Sequence, residues 1–199
     1  MQKTKIDKTK FFMNLLEIIP HSMNLDDAIY KTLKKIKLNE SFFNDIKSNF
    51  LPNGTKSLMN EINEIIDSKL RKLKKPNNFM KFRVNDKVKY FVIQRIKIFN
   101  DLIDKKFFLK EILNPNLFIN SNKILFNIAD EIWFLCGDKS TDFNYYTKRF
   151  ILMNVYAATF SFSFFDKSES LSKTKAFLDK QIKLVLTFGK IKQNIKKSM

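Results

Sequence analysis

One cysteine, one histidine, one tryptophan, three glycines and four prolines in 199 residues exclude several designs at once. A lone Cys136 can form no internal disulfide and gives no sign of an oxidising compartment. It lies on an apolar segment with no histidine nearby in sequence, which is the setting of an inert core thiol. His21 is the sole histidine, so histidine-based metal sites and nucleophile–histidine–acid triads are out of reach. There is no Glu-x-x-His pair for a di-iron carboxylate centre, no glycine-rich phosphate loop and no dinucleotide fingerprint. So few glycines and prolines cannot supply the turns of an all-β chain. Asp130/Glu131 and Asp138/Asp142 are the carboxylate pairs available for acid–base work, yet no base, nucleophile or metal converges on them in sequence. Asp142 reads more simply as a helix cap and Asp138 as a turn residue. Enzymatic chemistry is not expected.

What the chain has in excess is phenylalanine (22) and positive charge, a formal +17 that attracts polyanions such as nucleic acid or an anionic membrane surface. The charge is mostly lysine, with arginine only at 71, 83, 95 and 149. The first 22 residues are basic, with a short apolar part. They show neither a small-residue cleavage site nor the arginines of a presequence, so a bacterial cytoplasm facing the inner membrane is expected, or the matrix side of a mitochondrion in a eukaryote. Phe150–Phe165 carries no charge for 16 residues. That is short of the roughly 20 a membrane span needs, and Asn154, Thr159, Ser161 and Ser163 interrupt it. A buried central helix is expected there.

Apolar residues recur at helical spacing between the Gly and Pro punctuation, with no alternating strand pattern and no internal repeat. The expected fold is all-α, with about nine or ten helices: 10–19, 24–36, 40–50, 56–74, 84–104, 107–113, 117–136, one from Phe143 to about Phe165, and 171–188, the last ended by Gly189. The expected division is a three-helix headpiece at 1–55, a larger helical domain at 56–188 and a basic tail at 189–199. On the helix from Phe143 the large side chains Phe143, Tyr146, Phe150, Met153, Ala157, Phe160 and Phe164 form the expected inward seam. Lys87, Lys89, Arg95 and Lys97 are expected on a solvated face.

Three short helices, the turn Phe50-Leu51-Pro52-Asn53-Gly54-Thr55-Lys56 and a long fourth helix resemble the start of TetR-type regulators. The resemblance implies a helix-turn-helix-like headpiece whose third helix would read the major groove. Here that helix is NESFFNDIKSNF, with Glu40, Asp45, one lysine and no arginine, and Ile36-Lys37-Leu38-Asn39 stands where such turns place a glycine. DNA-binding regulation is therefore the lesser alternative, and nucleic acid is not the expected partner.

A second resemblance is carried by Trp133, Gly137-Asp138, Ser140-Thr141-Asp142-Phe143-Asn144, Tyr146-Thr147-Lys148-Arg149 and Phe177-Leu178. These resemble the signature of the lipid-binding accessory proteins of ubiquinone (coenzyme Q) biosynthesis, the ninth Coq protein, a family with a TetR-like fold. The resemblance implies a non-catalytic protein with no cofactor, which holds an isoprenoid quinone lipid or ubiquinone precursor as ligand. It would present that lipid to the demethoxyubiquinone hydroxylase at an anionic membrane surface, with a homodimer as a possible assembly. It places Phe126, Trp133, Phe150, Met153, Ala157 and Phe160 at the lipid cavity. Asp138, Asp142, Asn144, Tyr145 and Tyr146 form the exposed partner contact. Two departures stand out. Tyr145 occupies the position of the family's usual tryptophan, and the membrane-binding last helix is reduced to Lys190–Met199, with Ile191 and Ile195 its only apolar residues before Met199.

Overall fold

The computed structural model describes residues 6–112 and 115–198, with side chains at 6–109 and 122–187. The described residues form nine α-helices and no strand: α1 (Lys8–Ile18), α2 (Leu25–Lys35), α3 (Phe43–Asn49), α4 (Thr55–Arg71), α5 (Val84–Leu102), α6 (Lys105–Ile112), α7 (Pro115–Leu135), α8 (Phe143–Ser163) and α9 (Ser172–Ser198). The all-α expectation holds, and its helix count falls at the lower end. The chain divides into two compact units, one of residues up to Lys69 with Ile98–Ser121, the other of Leu70–Lys97 with Asn122 onward. The boundaries fall inside helices, because α4, α5 and α7 each contribute residues to both.

In the first unit, side-chain caps start the helices. Asp7 accepts the Lys10 N–H at 3.0 Å and Asn24 accepts the Asp27 N–H at 2.9 Å, each satisfying a donor the helix leaves unpaired. Phe11, Phe12, Leu15, Ile29, Leu33 and Ile46 are completely or almost completely buried. Each such side chain contributes on the order of 1.5–3 kcal/mol when taken from water. The Phe50 ring closes this cluster, 5.9 Å from Phe11 and 6.1 Å from Phe12. Lys37 adopts φ 58°, the left-handed conformation that glycine supplies at lower cost. The next helix, α3, is only seven residues long, preceded by a single 3₁₀ turn at Glu40–Phe42.

In the second unit, α8 packs on α9 with Phe162 stacked on Phe177, ring centroids 4.5 Å apart and planes at 6°. Lys89 of α5 bridges to Asp179 of α9 at 2.9 Å. The turn between α8 and α9 is organised by buried Asp166, which accepts the Ser168 and Thr174 backbone N–H groups, each at 2.8 Å, and the Thr174 hydroxyl at 2.6 Å. Burial pushes this carboxyl up, but the four hydrogen bonds from Ser168 and Thr174 outweigh it and hold Asp166 well below the usual carboxylate range.

Three expectations are corrected. The backbone of α9 continues through Gly189 to Ser198, since glycine inside a helix costs only about 1 kcal/mol. Arg95 is completely buried rather than solvated, and Lys89 is held by two carboxylates. The seam of α8 is rotated by about one residue: its buried positions are Arg149, Leu152, Val155, Tyr156, Thr159 and Ser163. Thr159 and Ser163 tolerate burial because their hydroxyls donate to Val155 and Phe160 carbonyls of the same helix, at 2.7 and 2.6 Å. Phe143, Tyr146 and Phe150 consequently face outward, 81%, 63% and 61% exposed.

Gly54 tests the turn before α4. It sits at φ +55° with only Leu25 Cδ2 at 4.0 Å from where a Cβ would be. Gly54→Ala should therefore cost about 1 kcal/mol from backbone conformation alone, with Gly54→Asn recovering part of it, as read by urea denaturation.

Candidate functional site

The polar corner between α7 and α8 is built from the helix ends inward. Gly137, at φ +83°, terminates α7 in a left-handed turn: its N–H bonds the Phe134 carbonyl at 2.9 Å and the Asp138 N–H bonds the Trp133 carbonyl at 3.0 Å. This is the Schellman arrangement for a helix C-terminus. Asp142 then caps α8, accepting the Asn144 N–H at 2.9 Å.

Between these ends lies a closed ionic network centred on Arg149, whose side chain is 4% exposed. Its Nε donates to Asp130 Oδ1 at 2.6 Å and its Nη1 to Asp138 Oδ2 at 3.0 Å and to the Tyr145 carbonyl at 3.2 Å. The guanidinium carbon lies 3.4 Å from the centroid of the Tyr145 ring, a stacked cation–π contact, while the Tyr145 hydroxyl donates to Asp130 at 3.0 Å. Lys148 Nζ donates to Asp138 Oδ1 at 2.8 Å and to Ser140 Oγ at 2.6 Å, and lies 5.4 Å from the Trp133 ring centroid. Trp133 Nε1 donates to the Lys148 carbonyl at 3.1 Å. Asp130, Asp138, Ser140, Lys148 and Arg149 are thereby joined to one another across α7, the turn and α8.

The expected partner residues separate into two sets. Asp142, Asn144 and Tyr146 are exposed. The Asp138 side chain is 6% exposed, so it is an interior ion-pair member and not an exposed contact. Tyr145 is half-buried beneath Arg149. Burial pushes the Asp138 carboxyl up, but hydrogen bonds from Lys148, Arg149 and Ser140 outweigh this and hold it at about 2. The neighbouring Glu131 is gripped bidentately by Arg71, at 2.7 and 2.6 Å. Burial raises the Cys136 thiol to about 12, which keeps it protonated. Among the described residues no group of three His, Cys, Asp or Glu side chains could hold a metal ion, and no helix is long and apolar enough to cross a membrane.

Beside the corner a cavity of about 160 Å³ opens between α5, α7, α8 and α9. Val88, Leu152, Val155, Ile182 and Val185 form its apolar wall, Trp133, Asn85 and Lys148 supply its polar atoms, and half-exposed Ile151 and Leu186 stand at its rim. Of the six residues expected at a lipid cavity, only Trp133 lines it. Phe126, Met153, Ala157 and Phe160 are partly exposed, with Phe160 stacked on Tyr156 at 5.7 Å, and Phe150 points to solvent. A rule that turns the largest side chains inward does not select the α8 residues that line it. The signal that identifies them is the spacing of Arg149, Leu152, Tyr156, Thr159 and Ser163, which marks the true buried face.

The chain is similar to known proteins over this stretch. The COQ9 family model matches residues 118–189. A probable ubiquinone biosynthesis protein coq9, mitochondrial, from Dictyostelium discoideum is 30% identical over 115 residues, covering 57% of this chain and 38% of that protein. The rat ubiquinone biosynthesis protein COQ9, mitochondrial, is 33% identical over 88 residues, covering 44% of this chain and 28% of its own length. The chain thus spans a minority of each of these relatives. The crystal structure of a TetR transcriptional regulator from Nitrosomonas europaea ATCC 19718 superposes with a TM-score of 0.67 at 12% identity, over 89% of this chain and 96% of that one.

Removing Asp138 would leave the buried guanidinium with Asp130 as its one carboxylate, so Asp138→Ala should cost about 3 kcal/mol in urea denaturation. Because its folded carboxyl is held at about 2, below the ordinary value of about 3.9, its contribution should be complete above about pH 4 and lost as pH falls from about 4 toward 2. That pH dependence should vanish in the Asp138→Ala variant. Over residues 118–189 this chain is similar to the COQ9 family, and its all-α fold is like that of a TetR transcriptional regulator.

Proposed function

We propose that this protein is a non-catalytic lipid-binding accessory of ubiquinone biosynthesis, which holds a polyprenyl quinone intermediate and presents it to the demethoxyubiquinone hydroxylase at the membrane. The observation that carries the reading is the apolar cavity built on Trp133, Leu152 and Val155, inside the stretch matched by the COQ9 family model. Its volume of about 160 Å³ is close to that of an apolar cavity able to hold benzene. It suits a ring or a short isoprenoid segment, with the rest of the lipid leaving past Ile151 and Leu186. A purely structural helical adaptor would have no need of such a void.

The partner surface in this reading is the outward face of α8 at the corner. Phe143, Asn144 and Tyr146, with Phe150 one turn on and Phe134 of α7 at 67% exposure, offer aromatic anchors beside polar groups. Anchors of this kind carry most of the energy in protein interfaces. The regulator reading has the fold likeness in its favour but finds little support in α3. Its single lysine, Lys47, is paired with Asp26 at 2.9 Å and lies 5.3 Å from the Phe43 ring centroid. Phe43 in turn stacks on Tyr30 at 4.2 Å.

Organic extraction of the purified protein followed by mass spectrometry should release an isoprenoid quinone or precursor. Val155→Trp, which fills the cavity, should eliminate it. Detergent or nothing in the wild-type extract would contradict the cavity reading. Separately, Tyr146→Asp should weaken binding to the hydroxylase by about thirty-fold or more without changing the unfolding midpoint, because Tyr146 is exposed. Unchanged affinity would sink the partner surface.

A further inference from the structure

The stretch joining α4 to α5 has a composition that neither the ionic corner nor the cavity explains. Between Arg71 and Lys89 every charged residue except Asp86 is a cation. Asp86 is already engaged by Arg83 at 3.4 Å and Lys89 at 2.9 Å. Lys72, Lys74, Lys75 and Lys81 are exposed, and none of them is in an ion pair among the described residues. The segment is nonetheless anchored. Phe79 is 4% exposed, packed at 5.5 Å from both Tyr90 and Phe91, with Lys75 Nζ 5.2 Å and Lys87 Nζ 5.6 Å from its ring centroid.

On this aromatic base stands an apolar tip. Met80 is 83% exposed and Val84 51% exposed, interleaved with Lys81 and Arg83. Exposed apolar side chains in a stretch of unpaired lysines are poorly matched to bulk water. They are well matched to an anionic bilayer surface, where exposed apolar side chains enter the acyl boundary and the ammonium groups meet phosphates. The position adds a reason: Asn85 and Val88, in the next turn of α5, line the cavity.

We propose that residues 72–84 are a membrane-docking surface that seats this protein on an anionic bilayer, with the α5 edge of the cavity next to the headgroups. Its purpose rests on the lipid-binding reading, but the surface itself does not. A nucleic acid would meet the lysines and leave Met80 and Val84 without a role.

Co-sedimentation of the full chain with phosphatidylglycerol-containing vesicles and with pure phosphatidylcholine vesicles tests this. The wild type should bind the anionic vesicles selectively and lose them as salt rises. Each of Lys72→Ala, Lys74→Ala and Lys81→Ala should lower partitioning about five-fold, and Met80→Asp should lower it further than a lysine does. All four side chains are exposed, so circular dichroism should stay unchanged. Vesicle binding indifferent to these variants, or competed away by duplex DNA at equal phosphate, would overturn the proposal. The two readings fail separately: if no isoprenoid copurifies but vesicle binding follows the variants, the cavity reading falls and the docking surface stands. Copurified isoprenoid with no vesicle binding gives the reverse.

Discussion

A guanidinium taken out of water costs several kcal/mol unless its hydrogen bonds and charge are met with good geometry, and the second unit is arranged around meeting that demand for Arg149. The groups that do so come from three places: Asp130 from α7, Asp138 from the turn, and the ring and carbonyl of Tyr145 from the first turns of α8. Satisfying all of them at once fixes how α7 crosses α8 and, more importantly, the rotation of α8 about its own axis. With Arg149 inward, Leu152 and Val155 become cavity wall and Phe143, Tyr146 and Phe150 become outer surface. One buried cation thus sets both the cavity-facing and the solvent-facing sides of the same helix.

This changes the meaning of the motif that carries the family likeness. Most of its polar residues hold the corner together: Asp138, Ser140, Lys148 and Arg149 bond one another, and Trp133 ties its indole N–H to the α8 backbone. Thr141, Asp142, Phe143, Asn144 and Tyr146 are the side chains it presents outward. Tyr145, where the family usually has tryptophan, keeps an aromatic face under the guanidinium and adds a hydroxyl that reaches Asp130. A tryptophan could stack there but could not make that bond in the same way. The departure therefore bears first on the internal clamp and only indirectly on the exposed face of α8.

Much of the fold was legible because helices of this length announce themselves through apolar spacing, Asn and Asp caps, and Gly137 as a terminator. The rotation of α8 was not, since a rule that places large apolar residues inside selects Phe150 and Phe160 over Arg149, Thr159 and Ser163. The inward choice is decided by polar satisfaction, visible only when Asp130 and Asp138 are brought beside Arg149. Arg95 misled as well, because charge alone selects solvent for a side chain that is completely buried, and the cavity depends on the rotation of α8, so that of the residues expected at a lipid cavity only Trp133 lines the one seen. Gly189 misled in the opposite direction, because a glycine permits a helix to end without requiring it. The first three helices show shape without chemistry: their apolar spacing marks them in the sequence, and α3 is poor in groups able to read a base edge.

The central claim is that Asp138 and Arg149 act as one buried unit that holds α8 in its rotation. A double-mutant cycle of Asp138→Asn, Arg149→Met and the pair, read by urea denaturation, tests it most directly. The account expects strong coupling, about 2 kcal/mol or more, with the double variant little worse than either single one. Additive losses, each within a few tenths of a kcal/mol of independence, would contradict it.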